Sequence, residues 1–357
     1  MPRSKTANPL AEVLDALTTA GAPELTEQLG NDALRCYACG HRCLINEGKR
    51  GICKVRFNEG GELRVPTNYV AALACDPTEK KPFFHVLPGS DTLTFGMLGC
   101  DLHCAYCQNW LTSQALRDDS AGTAPQQVTA DRLVALASAY GASLVGSSYN
   151  EPLITAEWAV EVFKKARPEG FRTAFISNGN ATPQVLDYLR PWTDCYKIDL
   201  KSMSDRNYRQ LGGVVDNILD TVKMVHERGF WEEIVTLIIP GFNDSEAELK
   251  QAAEFIASVS TDIPWHVTAF HQDYHMQENA NTTAAQLVRA CEIGRAAGLR
   301  YIYAGNLPGK VGRWENTYCP TCDQLLVERY GYLVRQMNVT HQGTCPSCAT
   351  HIPGIWR

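Results

Sequence analysis

The sequence predicts an α/β fold: a partial (β/α) barrel core flanked by an N-terminal four-cysteine module and a C-terminal zinc-ribbon-like module. Three observations carry that expectation. From about residue 92, short apolar runs alternate with segments of helical length and period, the pattern of parallel strands joined by helical crossovers. Before that point, residues 31–90 are rich in Gly, Pro and Cys, with Cys36, Cys39, Cys43 and Cys53 close together. Near the end, Cys319-x2-Cys322 and Cys345-x2-Cys348 bracket an alternating segment. The expected divisions are therefore 1–90, 91–312 and 313–357.

In chain order, residues 8–29 place Leu10, Val13, Leu14 and Leu17, then Leu25 and Leu29, at helical intervals and predict one or two short helices. Short strands are expected at 62–66 and 68–73. Core strands are expected at 92–98, 143–149, 172–177, 195–200, 233–239, 265–270 and 301–304. Helices are expected between them at 129–140, 153–167, 183–190, 216–229, 245–259 and 283–298, with Gly, Pro or Asn at most boundaries. Six or seven such units favour a partial or full barrel over an open sheet. Residues 325–330, a turn at Gly331 and residues 332–337 predict a β-hairpin between the last two cysteine pairs.

Composition narrows the function classes. The chain is 45% hydrophobic and 20% charged over 357 residues, an ordinary soluble balance. Thirty-three Lys and Arg against 39 Asp and Glu give −6, so no strong overall basic field favours nucleic acid, although a local patch remains open. No run of 18 apolar residues suggests a membrane span, and residues 1–10 lack the apolar core of a signal peptide. Eleven of the fourteen cysteines fall into three tight groups, which points to metal rather than disulfides. Of the others, Cys195 and Cys291 lie in apolar segments as small fillers, and Cys75 is either structural or close to the site.

The central group is the most informative. Cys100, Cys104 and Cys107 sit in Phe95-Gly-Met-Leu-Gly-Cys-Asp-Leu-His-Cys-Ala-Tyr-Cys-Gln-Asn-Trp110, with spacing C-x3-C-x2-C and no fourth cysteine nearby. Three thiolates can hold three irons of a [4Fe–4S] cube and leave the fourth open to a substrate or cofactor. Half of a zinc site is the competing reading, but zinc knuckles usually come as paired C-x2-C. Thiolate-held iron needs a reducing compartment, so the expected location is cytoplasmic. In a barrel the chemistry lies at the C-terminal ends of strands. The cysteine loop follows the first expected strand, Tyr149-Asn-Glu-Pro the second and Ser177-Asn-Gly the third. Asp199-Leu-Lys ends the fourth, Pro240-Gly follows the fifth, His271 the sixth and Gly305-Asn-Leu-Pro-Gly the seventh.

These ordered motifs resemble the radical S-adenosylmethionine (SAM) superfamily, and within it the pyruvate formate-lyase activating enzymes, over about residues 92–310. The whole chain resembles the radical SAM member of the AmmeMemoRadiSam system. The motifs are Cys36-x2-Cys-Gly-His-Arg-Cys, Gly48-x2-Gly-x-Cys53, Asp76-Pro-x-Glu-Lys-Lys-Pro-Phe-Phe-His85, Cys107-Gln-Asn-Trp110, Cys319-Pro-x-Cys322 and Ile352-Pro-Gly-Ile-Trp356.

The resemblance implies that the open iron chelates SAM and passes it an electron. Methionine and a 5′-deoxyadenosyl radical result, and the radical abstracts hydrogen from a substrate. It implies a flavodoxin or ferredoxin-type electron donor, and Memo-like and AMMECR-type partners. The substrate class stays open between a small molecule, RNA and protein. The alternatives are a glycyl-radical-enzyme activase and a non-catalytic metal-binding adaptor.

Residue roles follow from the same resemblance. Tyr106 would pack near adenine or shield the cluster from water. Glu151 would accept from the SAM ammonium; as a plain sequence feature it is a helix-start Glu before Pro152. Tyr149 and Asn150 stand where the family has two glycines. Ser177 and Asn178 would lie near the ribose and methionine, or form only a turn with Gly179, and Ile176 replaces a frequent acidic residue. Lys201 would pair with the SAM carboxylate, oriented by Asp199. His271 is the mouth candidate, and His266 is expected to pack within the barrel. Cys319, Cys322, Cys345 and Cys348 read as a structural zinc ribbon, with a second iron cluster as the alternative. Cys36, Cys39, Cys43 and Cys53 suit zinc, the preferred reading, or a closed [4Fe–4S] cluster feeding the core.

Overall fold

The computed structural model describes residues 9–357; the expectations for residues 1–8 lie outside them. Its centre is an eight-stranded mixed sheet. Seven strands run parallel: Asp91–Gly96, Leu144–Ser147, Arg172–Ser177, Cys195–Asp199, Trp231–Ile238, Trp265–Ala269 and Ile302–Gly305, each hydrogen-bonded to the next in chain order. Ala72–Pro77 adds an antiparallel edge against the first of them. The two end strands have one neighbour each, so the sheet stays open. The seven parallel strands lie within two residues of their expected limits at each end, because each is a short apolar run closed by turn chemistry.

Six expected helices form the crossovers, from Ala130–Ala139 to Ala284–Ala296. Their periodicity explains their docking. Val215–Glu227 buries Val215, Ile218, Thr221, Val222 and Val225, the i, i+3, i+7 spacing of one face. Thr129, Thr182, Ser245 and Thr283 cap helix starts by accepting from the third backbone N–H, each worth about 1 kcal/mol. The pattern missed a short helix, Asp205–Leu211, capped by Ser204.

The N-terminal expectation of one or two short helices holds in part. Only Pro9–Asp15 is α-helical among the described residues of 8–29; Thr18–Ala20 and Thr26–Gln28 are strands. The first pairs with Glu62–Pro66 and the second with Leu34–Cys36. The helix has ended by Asp15, well before Gly21 and Pro23, and strand pairing outweighs the leucine spacing that follows. The single strand expected at 68–73 is two, Tyr69–Val70 and Ala72–Pro77. At the other end, Thr317–Tyr318, Leu325–Tyr330 and Leu333–Met337 make a three-stranded antiparallel sheet. That sheet is tied to the core by Arg329, whose guanidinium donates to the Phe84 carbonyl at 2.7 Å and stacks over its ring.

Candidate active site

The cysteine loop leaves the first parallel strand at its C-terminal end, and glycine makes the exit possible. A Cβ on Gly96 would fall 2.4 Å from the Ser148 carbonyl oxygen, and Gly99 adopts φ +95. Cys104 and Cys107 line a cavity of about 820 Å³, and Cys100 is half-buried. Leu102 N donates to Cys100 Sγ at 3.3 Å, and Ser113 Oγ lies 3.1 Å from Cys107 Sγ. Burial pushes all three thiols up, Cys104 to about 12 against the opposing pull of Lys201. Bare, the three would stay protonated; a bound cationic cluster removes those protons, and N–H, hydroxyl and ammonium groups stand ready to stabilise the thiolates. The three-thiol donor set fits a cluster that would keep one iron without a protein ligand.

Opposite the thiols, the Cys195–Asp199 strand ends in three paired charges. Asp199 bonds the Lys197 ammonium and lies 3.5 Å from Lys201 Nζ. Burial opposes its charge, but Lys197 and then Lys201 hold the carboxyl below its usual range. Burial likewise opposes the Lys201 charge, yet Asp199 and Cys104 keep that ammonium well above its ordinary value. Tyr106 is buried on the cavity wall, edge-on to Phe242 at 5.8 Å, just past Pro240 and Gly241. His271 is exposed at the mouth, its Nε2 3.1 Å from Gln108 Nε2. Cys104, Cys107, Tyr106, Asp199, Lys201 and His271 are thus brought to one cavity.

Glu151, Ser177 and Asn178 are not part of its wall. They form a buried knot behind Cys100. The Glu151 carboxylate accepts from Leu153 N at 3.1 Å, Ser177 Oγ at 2.7 Å and Asn178 N at 2.7 Å. Burial and then the Asp101 charge push its carboxyl up. Asn178 Nδ2 and Asn180 Nδ2 hold the two oxygens of Asp101 at 2.7 and 2.8 Å. The helix-start reading of Glu151 is present too, since it caps Pro152–Thr155. Asn150 clamps the strand below the cysteines, its Oδ1 accepting from Met97 N at 2.9 Å.

The cavity has three further parts, and sequence reasoning places one of them, His266, only as packing within the barrel. Lys81, nearly buried, donates to Asp76 at 2.9 Å and to the Tyr149 hydroxyl at 3.1 Å, and Tyr149 sits in the left-handed region at φ 68. At the floor, His266 Nε2 meets Glu233 Oε2 at 2.6 Å, as a packed strand histidine, and still touches the cavity. From the C-terminal module, Tyr330, Gly331 and Tyr332 complete the wall. Asp76 and Lys81 fall inside a quoted motif, which was the available signal; the hairpin tip had none.

Among the described residues, Cys319, Cys322, Cys345 and Cys348 have their sulfurs all within 4.8 Å, a group able to hold a metal ion. No helix of the described residues is long and apolar enough to cross a membrane.

The family model for the Radical SAM superfamily matches residues 95–256. An uncharacterized protein of Methanocaldococcus jannaschii is 32% identical over 91% of this chain and 97% of its own length. Pyruvate formate-lyase 1-activating enzyme of Escherichia coli is 27% identical over 54% of this chain and 80% of its own. A crystal structure of a radical SAM methyltransferase from Sphaerobacter thermophilus aligns with TM-score 0.47 and 17% identity, covering 67% of this chain and 71% of that one.

Proposed function

We propose that this chain, which belongs to the radical SAM superfamily of enzymes, holds a [4Fe–4S] cluster on Cys100, Cys104 and Cys107 and abstracts hydrogen from a small substrate in the cavity beside it. The observation that carries the reading is the meeting of Cys104 and Cys107 with Lys201 and Asp199 on one cavity. Bound there, the cluster and SAM supply reductive carbon–sulfur cleavage and a 5′-deoxyadenosyl radical. The chain's own residues do the rest. Lys201, kept charged by Asp199, offers a cation to the SAM carboxylate, a charge-assisted contact. Tyr106 against Phe242 closes the apolar side and keeps water out. His271 and Gln108 meet across the mouth. The Glu151, Ser177, Asn178 and Asp101 knot acts as a positioning device, fixing the backbone that aims Cys100.

Cavity size and walls favour a small substrate over a protein loop. About 820 Å³ is in the range of small-molecule sites, and SAM takes part of it. Tyr330 and Tyr332 add aromatic wall to the same cavity, the kind of lining small-molecule sites use. The relationship to pyruvate formate-lyase activating enzymes keeps a glycyl-radical activase as the second reading. A flavodoxin or ferredoxin-type donor, Memo-like and AMMECR-type partners and a cytoplasmic setting belong to this proposal, as does zinc at Cys319, Cys322, Cys345 and Cys348. The divisions at about 90 and 312 are part of it too.

The test is anaerobic protein, reduced and given SAM. It should release 5′-deoxyadenosine and methionine, and no cleavage with a full iron complement would sink the proposal. A glycyl-radical EPR signal on a partner protein would select the activase.

A further inference from the structure

The cysteines near the N-terminus differ from the C-terminal quartet in spacing and in address. Around one zinc ion, Zn–S bonds of about 2.3 Å put four tetrahedral sulfurs about 3.8 Å apart. The C-terminal quartet meets that spacing, with Cys319 Sγ to Cys348 Sγ at 3.5 Å and Cys322 Sγ to Cys345 Sγ at 3.6 Å. It is the one group of three or more such donors, among the described residues, whose ligand atoms all lie within 4.8 Å. Cys36, Cys39, Cys43 and Cys53 converge as well. Cys36 N donates to the Cys43 carbonyl at 3.0 Å, Arg42 N donates to the Cys39 carbonyl at 3.1 Å, and a Cβ on Gly51, two residues before Cys53, would lie 3.7 Å from Cys43 Sγ. Their sulfurs do not form a group lying within 4.8 Å of one another, so the spacing of a single ion is not met. A cube of four irons calls for wider spacing, because each thiolate binds a different metal corner. Ile52 N donates to Cys43 Sγ at 3.5 Å, the kind of N–H to sulfur contact that sets a cluster's potential.

The address is against the triplet. A Cβ on Gly99, the residue before Cys100, would lie 3.3 Å from the Cys53 carbonyl oxygen and 3.0 Å from Val55. His41 Nε2 lies 3.2 Å from the Asp101 carbonyl oxygen. Gly40 N donates to the Asn180 carbonyl at 2.7 Å, and Asn180 in turn holds the Asp101 carboxylate. The two cysteine loops are therefore in van der Waals contact, whereas the C-terminal quartet packs with Phe84, Tyr301 and Tyr303 on the far edge of the sheet.

We propose that Cys36, Cys39, Cys43 and Cys53 hold a second, closed iron–sulfur cluster that relays electrons to the triplet. One electron arrives from a reduced flavodoxin or ferredoxin-type carrier, which is oxidised by one. The second cluster is reduced, passes that electron on and returns to its oxidised state; no proton or leaving group moves there. The relay rests on the reading of the triplet, but the second cluster does not.

The test uses the full chain and separates the two. Native protein should hold about eight irons, and the combined variant Cys100→Ala, Cys104→Ala, Cys107→Ala should keep about four irons and four sulfides, with an EPR signal on reduction. Zinc in place of that iron, or no iron at all, overturns the second cluster. Four irons in the native chain that all survive in the variant would sink the triplet's reading and leave this site standing. In the converse variant, Cys36→Ala with Cys43→Ala, flavodoxin-driven cleavage should be lost while dithionite-driven cleavage persists. Retention of flavodoxin-driven cleavage, or loss of both in protein that keeps the triplet's iron, overturns the relay.

Discussion

The triplet and the C-terminal quartet are built from the same ligand, and their surroundings separate them. In the quartet, four sulfurs close on one point at the rim of a small antiparallel sheet. In the triplet, three sulfurs sit at the C-terminal end of a parallel strand, with Cys104 and Cys107 open to a cavity and Lys201 opposite. The number of thiols says whether a coordination position stays free. What faces that position says whether it is useful. A fourth thiol across from the triplet would have closed it.

The sharpest way to break this comparison is to remove one sulfur from each group. Cys104→Ala should abolish SAM cleavage with the fold kept, as judged by circular dichroism, because the cluster loses one of three anchors. Retained 5′-deoxyadenosine formation would show that the triplet is not the reaction centre. Cys322→Ala should do the reverse. Structural zinc sites contribute on the order of 10 kcal/mol of apparent folding free energy, so the C-terminal sheet should unfold locally. Iron at the triplet should remain. Limited proteolysis after 312 would report the loss; equal resistance in native and variant chains would deny the quartet a structural role.

A smaller effect concerns how the C-terminal segment is held to the central sheet. His85 is buried, with Nδ1 2.6 Å from the Pro353 carbonyl oxygen and Nε2 2.6 Å from the Tyr303 hydroxyl. Burial lowers its pKa from 6.5 to about 4, although Glu233 pulls the other way. Burial lowers His266 as well. Between pH 6.5 and about 4 the unfolded chain therefore binds protons that the folded chain refuses. Stability should be full above that window and fall as pH drops through it. His85→Phe should flatten the fall in urea midpoint over the window, and an unchanged slope would exclude His85 as its source.

The sequence made the scaffold legible because parallel strands are short apolar runs with sharp ends. Their chain order also fixed which loops share one face, so Cys104, Tyr106, Lys201 and His271 could be placed together before any coordinates. The direction of a side chain at a strand end was less legible. Glu151 and Asn178 do not line the cavity: Asn178 N donates to the Glu151 carboxylate and Asn178 Nδ2 to Asp101, which turns both inward. Long-range closure was illegible. Asp76 and Lys81 are bound to Tyr149 across some 70 positions, and the Tyr330–Tyr332 tip reaches the cavity from a separate sheet. Neither periodicity nor spacing encodes such contacts. The leucines of 8–29 misled for the same reason, since pairing with Glu62–Pro66 and Leu34–Cys36 decided their form.

That hairpin tip offers the mildest test, and it asks whether the quartet's module is only a staple. Tyr332 Oη donates to Asn306 Oδ1 at 3.1 Å, and both residues line the cavity. Glu315 accepts from Gly331 N at 2.9 Å and steadies the turn. Tyr332→Ala removes wall and leaves every thiol in place. If the module shapes the substrate site, KM for the substrate should rise by up to about tenfold, equivalent to about 1.4 kcal/mol, with kcat nearly unchanged. Substrate-free SAM cleavage should be unaffected, because Tyr332 stands apart from the cysteines. If KM does not move, the C-terminal quartet supports the fold alone, and the line between closed and open cysteine groups is as strict as their ligand counts imply.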